Sequence, residues 1–317
     1  MYLGDDMTNY LKSYMSGQAA EYKPATKVIS PAKGVAKVEI PAQDRNRSSP
    51  FPYGGNRFEF RAVGSSQNVG LVNTVLMAIV AQAFKEFSDE IEMGKSAKEV
   101  AQNALKDSFK VIFNGNGYDA ANQQMLTDMG LWRIDSGVDA IARFTEPKNV
   151  KLFGDLGIFT PEECKARKTV MLNHYVGMVE MEALSMIDML QQHIIPSVNV
   201  SKVAGEKELT TFVATLKSEL HAMHEEKDEV LRATKARNLR LETMIRIRTF
   251  VDEVEGTVPA KNWTLATYKD LVSFLSSPTP LSNLFLTSPS PNLPHATAVV
   301  PRPGGRQLLV ILTEQGP

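Results

Sequence analysis

Arg45, Arg47, Arg57, Glu59 and Arg61 fall within one loop and one short run, Asp44–Phe51 followed by Gly55–Arg61. The second part alternates charged and aromatic residues: Arg57, Glu59 and Arg61 against Phe58 and Phe60. Side chains of a strand alternate between its two faces. The spacing therefore predicts a strand with Arg57, Glu59 and Arg61 on one face and the two phenylalanines on the other. A row of Arg, Glu and Arg is costly to bury without partners. It is useful where anions and a metal ion must be held together. The guanidinium fork matches carboxylate and phosphate, and a carboxylate oxygen suits a hard divalent cation. Taken alone, the same row also reads as an exposed ion ladder, which contributes little.

Other groups that could do chemistry have plainer readings. Asn114-Gly115-Asn116-Gly117 lacks the lysine and glycine spacing of a phosphate loop and reads as a structural turn. His221 and His224 stand three apart, which a metal pair could use, but their charged helix reads as a solvated face. His174 and His193 read as helix-surface or core residues. Met171, Met178, Met181, Met186 and Met189 read as core packing. Cys164 is the only cysteine. It sits at a helix start with no base nearby, so it reads as an inert thiol.

The arginine-rich segment also carries a resemblance. Asp44-Arg45-Asn46-Arg47-Ser48-Ser49-Pro50-Phe51, then Gly55-Asn56-Arg57-Phe58-Glu59-Phe60-Arg61, resembles the late active-site segment of glutamine synthetase, its type III branch above all. Val63–Gln67, Asn73–Leu76, Ile112–Tyr118, Lys148–Phe153 and the late Trp263…Tyr268-Lys269-Asp270-Leu271 are similar to type III as well. The resemblance covers roughly residues 1–275 and is loose between 200 and 245.

That resemblance implies an ATP-dependent glutamate–ammonia ligase. ATP phosphorylates the γ-carboxylate of glutamate, and ammonia then displaces phosphate. Catalysis of phosphoryl transfer is mostly positioning and electrostatics. By resemblance, Arg47 would stabilise the transferring phosphoryl group as the catalytic residue and also contact ATP. Arg57 would bind ATP phosphates, Arg61 the glutamate carboxylate, and Glu59 one Mg²⁺ or Mn²⁺. Asn46 and Ser48 would shape the loop. One departure stands out: the other branch has a further arginine five residues after the Asn-Arg arginine, and here that position is Pro52. The family assembles as stacked homo-oligomeric rings.

These residues need elements to hold them. Leu3, Met7, Tyr10, Leu11 and Tyr14 have helical spacing. Ala36–Ile40 reads as a short strand, and Pro52, Gly54 and Gly55 mark a turn inside the motif. Val69–Phe87 reads as a buried helix, followed after Gly94 by an amphipathic helix near Ala97–Ile112. Thr160-Pro161-Glu162-Glu163 opens a long helix, expected to run to about Ile195 and stop at Pro196. Leu209, Phe212, Val213, Leu216, Leu220 and Met223 form one stripe. Leu241, Met244, Ile245, Phe250, Val251 and Val254 form a second. The stretch Ala233–Asn238 between them is poor in apolar residues, which predicts two antiparallel helices breaking there. These helices read as a hairpin packing on its own core, with a subunit contact as the alternative.

The expected fold is α+β and mostly helical. Residues 1–110 would be the C-terminal part of a catalytic domain, with a few antiparallel strands over 36–63. Residues 111–275 would be the helical C-terminal region. Residues 276–317 hold eight of the seventeen prolines and three charged residues, which predicts a disordered tail. The balance of 35 basic and 36 acidic residues gives no general attraction to nucleic acid or membrane. No apolar run reads as long enough to span a bilayer without charges. The lone cysteine suits a reducing compartment, and the start lacks signal-peptide regions, so a cytoplasmic protein is expected.

The paired glutamates, the histidine, the flap and the neighbouring subunit's loop that the family needs have no counterpart here. The chain is therefore expected to be the C-terminal part of a glutamine synthetase, inactive by itself. The alternative reading is a non-catalytic interaction or regulatory protein derived from that family. An independent phosphate-binding module is a third reading, disfavoured because half a site binds anions poorly.

Overall fold

The computed structural model describes residues 1–18, 22, 27–29, 32–34, 36–40, 49–61, 68–131, 133–266, 299–301 and 307–309. These residues are mostly helical and fall into two compact units. One is Met1–Asp135 with Pro147–Thr160; the other is Ser136–Glu146 with Pro161–Gly316.

The first unit holds helices α1 (Asp5–Met15), α2 (Val69–Glu92), α3 (Ala97–Ser108), α4 (Ala120–Asp128) and α6 (Pro147–Asp155). Local chemistry sets their starts. Asn68, Ser96 and Asp119 each accept a hydrogen bond from a first-turn backbone N–H, which satisfies a donor the helix cannot. The expected buried helix over 69–87 forms as α2, but it is not buried: Ala78 is its one fully covered residue. Met77 is 64% and Phe84 67% exposed. Periodicity identifies the helix, whereas burial depends on what lies opposite. Helix α2 is also apolar enough, by length and composition, to cross a bilayer, with a mean hydropathy of 1.3. Each 18-residue stretch of α2 takes in Lys85 and Glu86, so the expectation that no apolar run spans a bilayer without charges stands beside this.

The strands expected over 36–63 form no extended sheet among the described residues. Val38–Ile40 pairs only with Lys27–Ile29, and far along the chain Val299–Pro301 pairs with Gln307–Leu309, three residues each. Residues 57–61 form a hairpin arm with a single formal bridge, Tyr53 to Phe58. Short ladders bring too few hydrogen bonds and too little apolar cover to build a stable sheet.

The second unit holds α5 (Gly137–Arg143), α7 (Pro161–Met189), α8 (Ile195–Ser201), α9 (Glu206–His224), α10 (Glu229–Asn238) and α11 (Met244–Glu255). Its core includes Leu172, Leu190, Leu209, Leu216, Met223, Leu239 and Ile247, all nearly or fully buried. Each such side chain contributes about 1.5–3 kcal/mol by leaving water.

Pro196 does not end the long helix. A π-turn, Leu190–Ile194, joins α7 to α8, with the Ile195 N–H bonded to Leu190 O. The wider turn absorbs the donor and the space that proline removes. The helix stops instead after Ser201, where Lys202 adopts a left-handed conformation.

The helix break expected at Ala233–Asn238 lies earlier. Asp228 caps α10, accepting from Val230 N at 2.9 Å and Leu231 N at 2.8 Å. Ala233 and Ala236 are fully buried in α10, which packs mainly on α7. A second π-turn, Leu239–Thr243, joins α10 to α11. It shifts the phase of the second apolar stripe. Met244, Ile247, Val251 and Val254 face the core, while Leu241 and Ile245 face solvent. Gly205, at φ +122°, starts α9 where a Cβ would lie 3.3 Å from Val254.

Candidate functional site

The hairpin that carries the charged row is held by backbone pairing. Glu59 N donates to Pro52 O at 3.0 Å and Arg61 N to Pro50 O at 2.8 Å. Gly54 N closes the turn onto Arg57 O at 2.7 Å, and Gly55 takes φ +85°, a conformation glycine adopts without strain. Tyr53 OH also donates to Gly55 O.

The N-terminal residues add a further extended segment. Tyr53 N donates to Tyr2 O at 2.8 Å, and Phe113 N to Met1 O at 2.8 Å. Asn114 locks the corner. Its Oδ1 accepts from Leu3 N and Gly4 N at 3.1 and 3.0 Å, and its Nδ2 donates to Thr8 Oγ1 at 2.9 Å and Asp5 Oδ1 at 3.2 Å. Sequence reasoning reads Asn114 only as part of a turn. Its position in an Asn-Gly-Asn-Gly run gives no sign that one amide ties three segments together.

The predicted alternation holds in this hairpin. Phe58 and Phe60 pack on Phe51, with ring centroids 5.5 and 6.4 Å away, and Tyr53 lies 5.4 Å from Phe58. On the charged side, Arg61 Nε and Nη2 both lie 3.0 Å from Glu59 Oε2. The Arg61 side chain is 17% exposed and that of Glu59 51%. Arg57 Nη1 donates to Asn56 Oδ1 at 3.1 Å. Three of the four predicted site residues, Arg57, Glu59 and Arg61, are therefore brought onto one short hairpin. Arg47, with Asp44, Arg45, Asn46 and Ser48, lies outside the described residues.

A divalent cation asks for about six oxygen ligands. Glu59 offers one carboxylate, already engaged by Arg61. Among the described residues no cluster of three or more His, Cys, Asp or Glu could hold a metal ion. The residues described do not by themselves fit a metal centre. What the hairpin offers is two cations and a carboxylate at a partly open surface, which suits recognition of a small anion.

The other candidate groups have structural partners. His224 Nε2 lies 3.0 Å from Glu180 Oε1 at the surface, and His193 Nδ1 is 2.8 Å from Thr264 Oγ1. Cys164 is fully buried, and burial pushes its thiol pKa up, with Glu163 adding to the effect and Arg167 opposing it. That environment keeps it an inert thiol. Of the five methionines expected in the core of α7 and its continuation, Met181 is 56% exposed.

The second unit also contains a recess of about 130 Å³ lined by Met186, Met189, Leu190, Ile247, Val251 and Trp263 among others. The Trp263 indole N–H is buried there without a partner among the described residues. At its rim Arg248 Nε pairs with Asp252 at 2.8 Å, and burial is the main cause that raises the pKa of Glu255.

Comparisons with known proteins give matches within one family. Residues 96–217 match the glutamine synthetase C-terminal domain. The chain is 26% identical over 314 residues to a type-3 glutamine synthetase of Dictyostelium discoideum, covering 86% of this chain and 42% of that protein. It is 28% identical over 225 residues to a glutamine synthetase of Butyrivibrio fibrisolvens, covering 69% of this chain and 31% of the relative. It is 30% identical over 170 residues to one of Bacteroides fragilis, covering 51% and 23%. The chain thus spans less than half the length of these curated relatives. The matched domain contains residues from both compact units.

Proposed function

We propose, for a chain whose residues 96–217 match the glutamine synthetase C-terminal domain, that it is the C-terminal part of a type III glutamate–ammonia ligase. The whole enzyme would form glutamine from glutamate and ammonia through γ-glutamyl phosphate, with ATP as co-substrate. The observation that carries this reading is the hairpin. It sets Arg57, Glu59 and Arg61 on one surface, directly after the stretch of sequence that holds Arg47.

In this reading Arg61 binds the substrate carboxylate, exchanging its bond to Glu59 for one to glutamate. Arg57 holds ATP phosphates by its planar fork. Arg47 stabilises charge on the transferring phosphoryl group. Mg²⁺ or Mn²⁺ would supply Lewis-acid stabilisation of the phosphates in the complete site. Glu59 is the residue of this chain assigned to the ion, and the remaining ligands belong to the rest of the enzyme. The whole enzyme would be a cytoplasmic homo-oligomer of stacked rings. The buried, unpaired Cys164 is in keeping with a reducing compartment.

The 317-residue chain alone is expected to be inactive, because one carboxylate and its arginines make one wall of a two-metal site. The test is γ-glutamyl hydroxamate formation with ATP and Mg²⁺. Activity of the isolated chain would overturn the half-site reading. A full-length enzyme in which Arg61→Ala leaves glutamate kinetics unchanged would overturn the residue assignment.

A second reading, a non-catalytic interaction protein of the same ancestry, draws on the exposed apolar residues of α2, Met77, Ile79, Val80 and Phe84. Coding sequence upstream of Met1 discriminates. An in-frame extension with a His and a Glu-x-Glu pair favours the ligase; a genuine start at Met1 favours the interaction protein.

A further inference from the structure

Helix α7 has two apolar faces. One, with Leu172, Val176, Val179, Ala183 and Ile187, is buried in the core of its unit. The other is turned to solvent. Val170, His174, Gly177, Met181, Leu184 and Asp188 recur at steps of four, three, four, three and four, and all are exposed. Val170 is 66%, Met181 56% and Leu184 53% exposed. A Cβ placed on Gly177 would meet nothing within 4 Å. An alternation of steps of three and four is the pattern by which two helices pack lengthwise. A glycine in such a seam lets two backbones approach closely.

The seam is self-complementary about Gly177. Val170 stands seven residues before it and Leu184 seven after. Arg167 and Asp188, both exposed, stand near opposite ends. In an antiparallel pair, Val170 of each copy meets Leu184 of the other, and each Arg167 comes beside the second copy's Asp188. A parallel pair would oppose Arg167 to Arg167 and Asp188 to Asp188, which is unfavourable. Closed two-fold pairing requires this kind of self-matching surface.

We propose that this outer face of α7 is a self-association seam, on which a second copy of the chain docks its own α7 antiparallel across a two-fold axis at Gly177. The inference stands independently of the ligase reading. Three apolar side chains per copy form a small core, so the dimer sits at the weak end of specific interfaces. It forms with rising protein concentration.

Sedimentation equilibrium of the 317-residue chain over a concentration series tests this. The expected result is a monomer–dimer equilibrium that Leu184→Glu abolishes while the far-UV circular dichroism stays unchanged. A monomer at every concentration, or a dimer that survives Leu184→Glu, would overturn the proposal. Cysteine pairing tests the geometry without disrupting the seam, since native Cys164 is buried. Under air oxidation Gly177→Cys should give a disulfide-linked dimer. Val170→Cys should give one when mixed with Leu184→Cys but not alone. A Val170→Cys homodimer as abundant as the Gly177→Cys one would overturn the antiparallel arrangement.

Discussion

Arg61 reaches back along its own hairpin arm to Glu59, with Nε and Nη2 each 3.0 Å from the same carboxylate oxygen. The cation assigned to substrate and the carboxylate assigned to metal thus neutralise each other. A surface pair two residues apart in one strand contributes little to stability, on the order of 0.2–1 kcal/mol. Arg61→Ala should leave the urea midpoint of the isolated chain nearly unchanged. In the full-length enzyme the same change should raise the KM for glutamate at least about tenfold, the loss of one charge-assisted contact. Parallel urea melts and steady-state kinetics check both halves.

Asn114 ties the N-terminus to α1 and to the turn at 114–117 through four hydrogen bonds. Asn114→Ala removes all four and leaves the Leu3 and Gly4 amides without their acceptor. The expected loss is about 1–3 kcal/mol, felt locally. Amide hydrogen exchange should speed up at Leu3 and Gly4 while α7 and α9 amides stay protected.

Asp228 satisfies two orphan donors at the start of α10. Asp228→Ala should cost about 1 kcal/mol, and Asp228→Asn less, since an amide oxygen accepts the same bonds. By contrast, Leu216→Ala at a fully buried position should cost about 2–5 kcal/mol. Chemical denaturation of the three variants ranks them.

Glu229 receives Lys168 Nζ at 2.7 Å and Thr169 Oγ1 at 2.8 Å. The Lys168 hydrogen bond is the main cause that lowers its pKa from the ordinary carboxylate value, against partial burial. A carboxyl with a depressed folded pKa lends stability that is present above its unfolded pKa. That stability is lost as pH falls through the folded value. Thermal stability should therefore drop on acidification below the ordinary carboxylate range, and Glu229→Gln should flatten that part of the pH profile.

Met77 and Phe84 are the most exposed large apolar residues in the middle of α2. The isolated chain should bind a fluorescent apolar probe such as anilinonaphthalene sulfonate. Met77→Glu with Phe84→Glu should reduce that fluorescence without lowering the denaturation midpoint, because neither side chain is buried. A clear drop in the midpoint would show that the face is packed.

Much of this molecule was legible in its residues. The alternation in Arg57–Arg61 predicted its two faces, and they appear with the aromatic rings on one side and the ion pair on the other. The stripe Leu209–Met223 predicted the buried face of α9, and all but the partly buried Phe212 are covered. The Thr160-Pro161-Glu162-Glu163 signal predicted the start of α7. These features follow from side-chain period and from chemistry at a helix start, both local along the chain.

What failed was non-local. Pro196 read as a stop, yet a π-turn just before it lets the helix pass. Ala233 and Ala236 read as a break, yet they are fully buried inside α10. Leu241 and Ile245 read as core, yet the π-turn at Leu239–Thr243 rotates them outward. The apolar run of α2 read as buried, yet in its unit little lies over it. Residue order was enough to carry the family resemblance, the helix periods and the residues suited to an anion. Packing in three dimensions settled which apolar faces are covered, and the side-chain conformations showed that Glu59 spends its charge on Arg61 of its own arm. Period and residue type belong to a single segment, whereas burial depends on what another segment places opposite.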